Sequence, residues 1–245
     1  MPTVFDVDNW WDEEQMWCGL HAALDPVRVP FLVGALEGMA LPRVLDVGCG
    51  GGFLLRALAE HDARPIGVDV SAQALEAASA VTGALIRADG ARLPFASDSF
   101  DGVVLSEVLE HVPDPMALIL EAARITRHGG VLMTSVPNRT LRSRLALIDL
   151  AQRFPVTRVL PRDLHEWARF IRPRELIDRL EGAGFRVEAV QGIGIPLRRL
   201  PSAAVAWSKL RRGATTFAAA GRTMRLGPVR STALAYMVRA RRHAA

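Results

Sequence analysis

The stretch Val44-Leu45-Asp46-Val47-Gly48-Cys49-Gly50-Gly51-Gly52 constrains this 245-residue chain more than any other. A short β-branched apolar run ends in four glycines, and apolar residues then recur at helical spacing from Phe53 to His61. This predicts a buried strand, a turn and a helix, the place where open α/β sheets bind ligands. A tight turn needs fewer glycines. Four of them let a ligand approach backbone N–H groups with no side chain in the way. The pattern is Asp-x-Gly-x-Gly-x-Gly, over Asp46, Gly48, Gly50 and Gly52. It is not the dinucleotide fingerprint, whose third glycine would fall at Phe53, and it lacks the Gly-Lys-Ser/Thr of a phosphate loop. An acid inside the loop repels a pyrophosphate and suits a cation. S-adenosylmethionine, with its sulfonium and ammonium groups, is such a ligand.

Further strands are predicted at 65–68, 84–88, 100–105, 131–136 and 185–190, and a weaker, alanine-rich one at 231–239. Helical spacing returns at 71–80, with Ser71 as N-cap, at 115–126, and at 172–180, with Pro173 at the first helical position. This alternation predicts an α/β fold, a Rossmann-like, seven-stranded, mostly parallel sheet with helices on both faces. Residues 1–40 read as an N-terminal helical cap carrying Trp10, Trp11 and Trp17, punctuated by Pro26 and Pro30. Residues 41–245 form the main domain, with a lid-like insertion at 138–170 and a basic insertion at 196–228. The second strand ends at Asp69, where a carboxylate can accept hydrogen bonds from ribose hydroxyls. The third ends at Asp89, placed to meet an adenine amino group.

Composition narrows the class. Two cysteines, Cys18 and Cys49, exclude a disulfide scaffold and lack the paired spacing of a zinc site. The first residues are acidic and aromatic rather than basic and then apolar, unlike a signal peptide. No apolar run is long enough to span a bilayer. A cytoplasmic protein is expected, peripheral on the inner face of the membrane if it meets one. The formal net charge of +4 hides an asymmetry. From Ala189 to Ala245 there are 11 Lys/Arg and no Asp or Glu, while the first 188 residues hold 19 basic and 26 acidic groups. With its interspersed Leu, Ala, Val, Trp207 and Phe217, the basic stretch suits an anionic membrane surface. It also reads as a solvated insertion. No nucleic-acid module is present.

Asp46 to Gly52, with Asp69 and Asp89, resembles the cofactor motifs of class I S-adenosylmethionine-dependent methyltransferases. The chain is similar, more narrowly, to the ubiquinone biosynthesis O-methyltransferases. The likeness rests on Trp10-Trp11-Asp12, Leu20-His21, Asp25-Pro26-x-Arg28, and the segment from Ser106 to Pro115 (SEVLEHVPDP). It continues in His165-Glu166-Trp167, in Phe170-Ile171-x-Pro173-x-Glu175-Leu176, in Leu226-Gly227-Pro228 and in Tyr236-Met237. Asp25 stands where the family has Asn, and the stretch 197–225 is longer and richer in arginine. The resemblance implies that Arg28 meets the methionine carboxylate, with Ser106 close to the cofactor. It also implies a divalent ion, such as Mg2+, on Glu107, Glu110 and His111. Their i, i+3, i+4 spacing would share one face if one helical turn follows the fourth strand. Such an ion favours ionisation of a bound catechol. Alternatively the two glutamates meet a helix dipole and the histidine packs. Without metal, His111 or His165 is the candidate base, with Glu110 beside His111.

The expected activity is methyl transfer to a phenol or quinol hydroxyl, most simply on a ubiquinone precursor. A secondary-metabolite acceptor is the alternative within the class. A non-catalytic cofactor-binding or membrane-associated protein is the alternative outside it, and has no need of the Glu-His cluster.

Overall fold

The computed structural model describes residues 14–82, 84–153, 160, 164–196, 199–224 and 226–244. Five parallel strands form half the framework: β1 (Arg43–Val47), β2 (Arg64–Asp69), β3 (Leu85–Arg87), β4 (Phe100–Ser106) and β5 (Thr126–Pro137). The other half comprises β6 (Phe185–Gly194), β7 (Gly227–Val229) and β8 (Ala235–Arg242), giving the order β3-β2-β1-β4-β5-β8-β6-β7. β8 runs antiparallel between β5 and β6. The sheet thus has eight strands where seven are expected. The additional strand is the three-residue β7, which pairs antiparallel with the end of β6. It falls in a stretch whose Pro, Arg and Gly content conceals it.

Both faces of the central strands are covered, so β1, β4 and the second half of β5 are buried almost continuously, whereas β6 alternates. On one face Leu45, Val47, Val103 and Leu105 pack with Leu118 and Ile119 of α4 (Pro115–Ile125) and with Leu176 and Leu180 of α6 (Pro173–Gly182). On the other, Val44, Val104, Val131 and Met133 pack with Leu54 and Leu58 of α2 (Phe53–Ala59) and with Leu32 and Leu36 of α1 (Glu14–Leu36). α3 (Ala72–Ser79) is capped by Ser71, whose hydroxyl accepts from the Ala74 N–H at 3.2 Å. Asp114 caps α4 in the same way, at Met116 and Ala117.

Three boundaries differ from the sequence reading. α1 continues through Pro26 and Pro30. Each proline removes a helical N–H at about 3 kcal/mol. Burial of Ala23, Leu24, Val27, Leu32, Ala35 and Leu36 offsets this, at about 1.5–3 kcal/mol for each larger side chain. β5 starts at Thr126 rather than 131, with a shift in its pairing to β4 between Phe100 and Gly102. Gly130 sits at that irregularity, where a Cβ would lie 2.8 Å from the Arg127 carbonyl oxygen. β8 begins four residues later than expected. Residues Thr232 and Leu234 instead give their carbonyls to the side chain and backbone of Asn138.

The described parts of both insertions contain helices. After β5 the chain forms a short turn of helix, α5 (Leu141–Ser143), and then a π-helical segment, Arg144–Arg153. The basic stretch contains α7 (Leu200–Arg211) and α8 (Phe217–Met224), which pack on each other, with α8 against α1. The Leu226 N–H donates to the Ala23 carbonyl, tying the end of this insertion to the N-terminal helix.

Candidate active site

The glycine turn leaves β1 with Gly48, Gly50 and Gly52 all at positive φ, 74°, 51° and 80°. Gly48 has a second constraint, since a Cβ there would lie 2.8 Å from Val108 Cγ2. The Gly50 and Ser71 N–H groups donate to the two oxygens of Asp69 at 3.0 and 2.9 Å. The acid at the end of β2 is thereby fixed against the turn. Asp46 is 2% exposed. Burial pushes its carboxyl up to about 7, against the pull of Arg28. Asp89 lies beyond β3, is exposed, and accepts from the Ala91 N–H at 2.9 Å. No hydrogen bond in the described residues joins it to Asp69 or to the glycine turn.

Arg28 of α1 is buried at the ends of β4 and β5. Its Nη1 donates to Ser106 Oγ at 3.1 Å and its Nη2 to Asp25 Oδ1 at 2.6 Å. Ser106 Oγ lies 2.9 Å from Ser135 Oγ at the end of β5. This network answers one of the sequence expectations. Glu107 follows Ser106 at φ 53°, with its N–H bonded to the Ser135 carbonyl. Its carboxylate accepts from the Ser135 hydroxyl and feels the Arg28 charge, while burial raises its pKa. Residues 107–114 form turns and loop rather than the helical turn that would align 107, 110 and 111. The structure places Glu107 beside Arg28 and Ser135, and near enough to Glu110 to act on its carboxyl.

A different group of three comes together. Ligand atoms of Glu110, His111 and His165 all lie within 4.8 Å of one another. Glu110 is 2% exposed, and neither of its carboxylate oxygens has a hydrogen-bond partner among the described residues. Burial and the neighbouring Glu107 push its pKa well above the carboxylate range. The His111 Nε2 stands 4.0 Å from Glu110 Oε1. The rings of His111 and His165 are 5.3 Å apart and tilted by 30°. Burial lowers both imidazoles, His111 to about 3 and His165 to about 4, so both are neutral at physiological pH.

His165 is positioned by Gln152, a fully buried side chain on the π-helical segment. Gln152 Nε2 donates to the His165 carbonyl, and the His165 N–H donates to Gln152 Oε1, both at 2.9 Å. Ser135 and Gln152 are the residues that the sequence reading missed. Ser135 ends a strand at the same level as Ser106, a position that could have signalled it. Nothing in the local sequence singles out Gln152. Trp10 and Trp11 of the N-terminal cap lie outside the described residues, as does the side chain of Trp17.

The donor set fits a divalent ion: a buried carboxylate with two unpartnered oxygens beside two neutral imidazoles. Two nitrogens suit a first-row transition ion better than Mg2+, which favours oxygen. The turn, the buried acid and the Asp69 carboxylate fit a cationic nucleoside.

Residues 45–134 match the methyltransferase domain family. The chain is 36% identical over 192 residues to the ubiquinone biosynthesis O-methyltransferase of Idiomarina loihiensis, covering 76% of this chain and 78% of that one. It is 38% identical over 194 residues to the protein of the same name from Hahella chejuensis, covering 76% and 79%. A solved S-adenosylmethionine-dependent methyltransferase from Thermotoga maritima, described as a possible histamine N-methyltransferase, superposes with a TM-score of 0.66 at 17% identity. That superposition covers 99% of this chain and 100% of the other, and at such identity it speaks for the fold. The relatives, the glycine turn and the acids behind it agree, and the chain belongs to the ubiquinone biosynthesis O-methyltransferase family of S-adenosylmethionine-dependent enzymes.

Proposed function

We propose that this enzyme methylates a phenol or catechol hydroxyl of a ubiquinone precursor, using Glu110, His111 and His165 to manage the acceptor's proton. The observation that carries this reading is the buried Glu110–His111–His165 group next to Glu107, itself bonded into the Arg28–Ser106–Ser135 network. In this reading Arg28 and Ser106 hold the methionine end of the cofactor, Asp69 the ribose and Asp89 the adenine. Asp46 faces the cofactor's positive charge. The acceptor oxygen attacks the methyl carbon in line with the departing sulfur, so positioning contributes much of the rate. The oxygen–carbon bond forms as the carbon–sulfur bond breaks. S-adenosylhomocysteine leaves, and, where no ion occupies the Glu110–His111–His165 group, the phenolic proton passes to one of its neutral imidazoles. A divalent ion held by Glu110, His111 and His165 would make the hydroxyl more acidic. Burial of these groups excludes water.

The test is incubation of the purified chain with methyl-labelled cofactor and a short-chain prenylated catechol. Label in the methyl ether is expected. Replacing His111 or His165 by Ala should lower kcat by about 10²–10⁴-fold with cofactor affinity kept. Absence of label in any phenolic acceptor, with transfer to a sugar or amine instead, would overturn the assignment.

A lipophilic acceptor also favours peripheral membrane contact. No helix among the described residues is long and apolar enough to cross a bilayer. Support comes from α7, which exposes Leu200 and Val205 on the basic stretch, and from exposed Leu141 and Leu145 beside Arg142 and Arg144. Each basic group near anionic headgroups contributes about 1 kcal/mol. Sedimentation with phosphatidylglycerol vesicles should deplete the supernatant, in a salt-sensitive manner, where phosphatidylcholine vesicles do not. Equal recovery with both removes the membrane reading.

A further inference from the structure

A cavity of about 1020 Å3 lies outside the cofactor turn, at the end of β6. Ile193, Ile195, Val229 and Leu234 give it an apolar wall, and Arg142, Arg199 and Arg230 are also among its lining residues. No carboxylate lines it among the described residues. Every lining residue falls outside 45–134, the part of the chain shared with methyltransferase domains at large. Pro196 and Arg199 mark the start of the basic insertion and Leu226 its end, so this insertion supplies part of the wall.

The position is informative. β6 is parallel to β5, because each runs antiparallel to β8, so their C-terminal ends share one edge of the sheet. The cavity therefore opens at the same edge as Ser106 and Ser135. Pro26 lines it two residues before Arg28, and Arg142 lines it from α5, which precedes the segment that positions His165.

We infer that the cavity binds an anionic amphiphile: an apolar body against the Ile193, Ile195, Val229 and Leu234 wall, and one acidic group, carboxylate or phosphate, among Arg142, Arg199 and Arg230. The chemistry is that of guanidinium forks, which hold carboxylate and phosphate oxygens by charge-assisted hydrogen bonds. An apolar wall without acids attracts such a group and leaves a neutral or cationic headgroup without a counterpart. Three arginines without apolar surface would suit a free anion, and apolar surface without arginines would suit a neutral isoprenoid. This cavity combines both. The inference rests on the proposed function in one respect, that the amphiphile is the methyl acceptor.

The test is calorimetric titration of the full chain with octyl phosphate below its micellar concentration, with octyl glucoside, and with inorganic phosphate. Octyl phosphate should bind about ten-fold or more tightly than octyl glucoside, the expected worth of a charge-assisted bond or more. Inorganic phosphate should show no saturable binding. The triple variant R142Q/R199Q/R230Q should bind both amphiphiles alike. Val229→Trp, which fills the apolar half, should lose both while still binding S-adenosylhomocysteine. If phosphatidylglycerol vesicles displace octyl phosphate, the acidic group belongs to a bilayer lipid. If they do not, it belongs to a soluble acceptor. Equal affinity for octyl phosphate and octyl glucoside overturns the inference. So does an advantage that survives the triple variant, or unaltered octyl phosphate binding by Val229→Trp. S-adenosylhomocysteine binding is measured separately, so failure of the methyltransferase reading leaves these outcomes legible.

Discussion

A carboxylate at 2% exposure, whose burial holds its pKa at about 7, gains from the arrival of a cation. Asp46 makes a prediction of definite sign. The cationic cofactor prefers the ionised acid, so binding should release a proton at acidic pH. Affinity should rise with pH up to about 7 and level off above it. Titration in two buffers of different ionisation enthalpy reads the proton directly. Asp46→Asn should bind at least ten-fold more weakly, with a flat pH profile; a variant that keeps the slope sinks the assignment. Glu107 and His165 separate in the same way. Glu107→Gln should raise KM for the cofactor, through Ser135 and Arg28, and His165→Ala should lower kcat. Equal effects on both parameters in both variants would contradict the division of the site. The placement of Asp46, Asp69 and the glycines at the ends of β1 and β2 was legible in the sequence, because strand ends can be read from periodicity. The acceptor side was less legible. His165 reaches Glu110 through a long-range fold, and Glu107 departs from helical spacing because its backbone takes a left-handed φ of 53°.

At the scale of elements, the α7–α8 insertion shows why part of the fold escaped the sequence. Its helices bury small side chains, Ala203, Ala206 and Ala220, rather than a stripe of Leu or Ile, so apolar periodicity is weak. The reading of Pro26 and Pro30 as punctuation failed for a related reason. Tertiary burial along α1 outweighs the local helix penalty. The packing of α8 on α1 has a testable consequence, since α1 carries Arg28. Ala220 is 1% exposed. Ala220→Leu should overpack the helix contact at a cost of about 1–3 kcal/mol, lowering the thermal midpoint by about 2–4 °C per kcal/mol. It should also raise KM for the cofactor. Val205→Leu, on the exposed side of α7, should change neither. An Ala220→Leu variant with an unaltered midpoint would mean that α8 does not support α1.

The molecule as a whole keeps several ionisable groups in its interior, and their signs oppose. The buried imidazoles of His111 and His165 resist protonation in the fold, whereas the unfolded chain takes up those protons below its ordinary histidine pKa. Their contribution to stability is therefore lost as pH falls from about 6.5 towards 4. Asp46 and Glu110 act the other way, since the fold keeps their protons and the unfolded chain releases them. Their contribution falls as pH rises above the ordinary carboxylate range. Between about pH 4 and 6.5 the two sets offset each other. Above that range the histidines contribute no further slope, while Asp46 up to about pH 7, and Glu110 and Glu107, whose carboxyls burial also raises, continue to lose stability as pH rises. Chelator-treated protein should thus lose thermal stability from pH 7 to 8.5, and Glu110→Gln should be more stable than the wild type at pH 8 with a shallower slope. A divalent ion such as Mn2+ or Zn2+ reverses the sign, because it binds the ionised carboxylate and the neutral imidazoles together. At one hundred times its Kd it should stabilise by about 2.7 kcal/mol, and Glu110→Gln should forfeit most of that gain. Scanning calorimetry at pH 7 and 8.5, with and without the ion, reads all four quantities. A chelated wild type with no slope would show that Glu110 is already ionised in the fold, and an ion that leaves the midpoint in place would show that the interior group is not a metal centre.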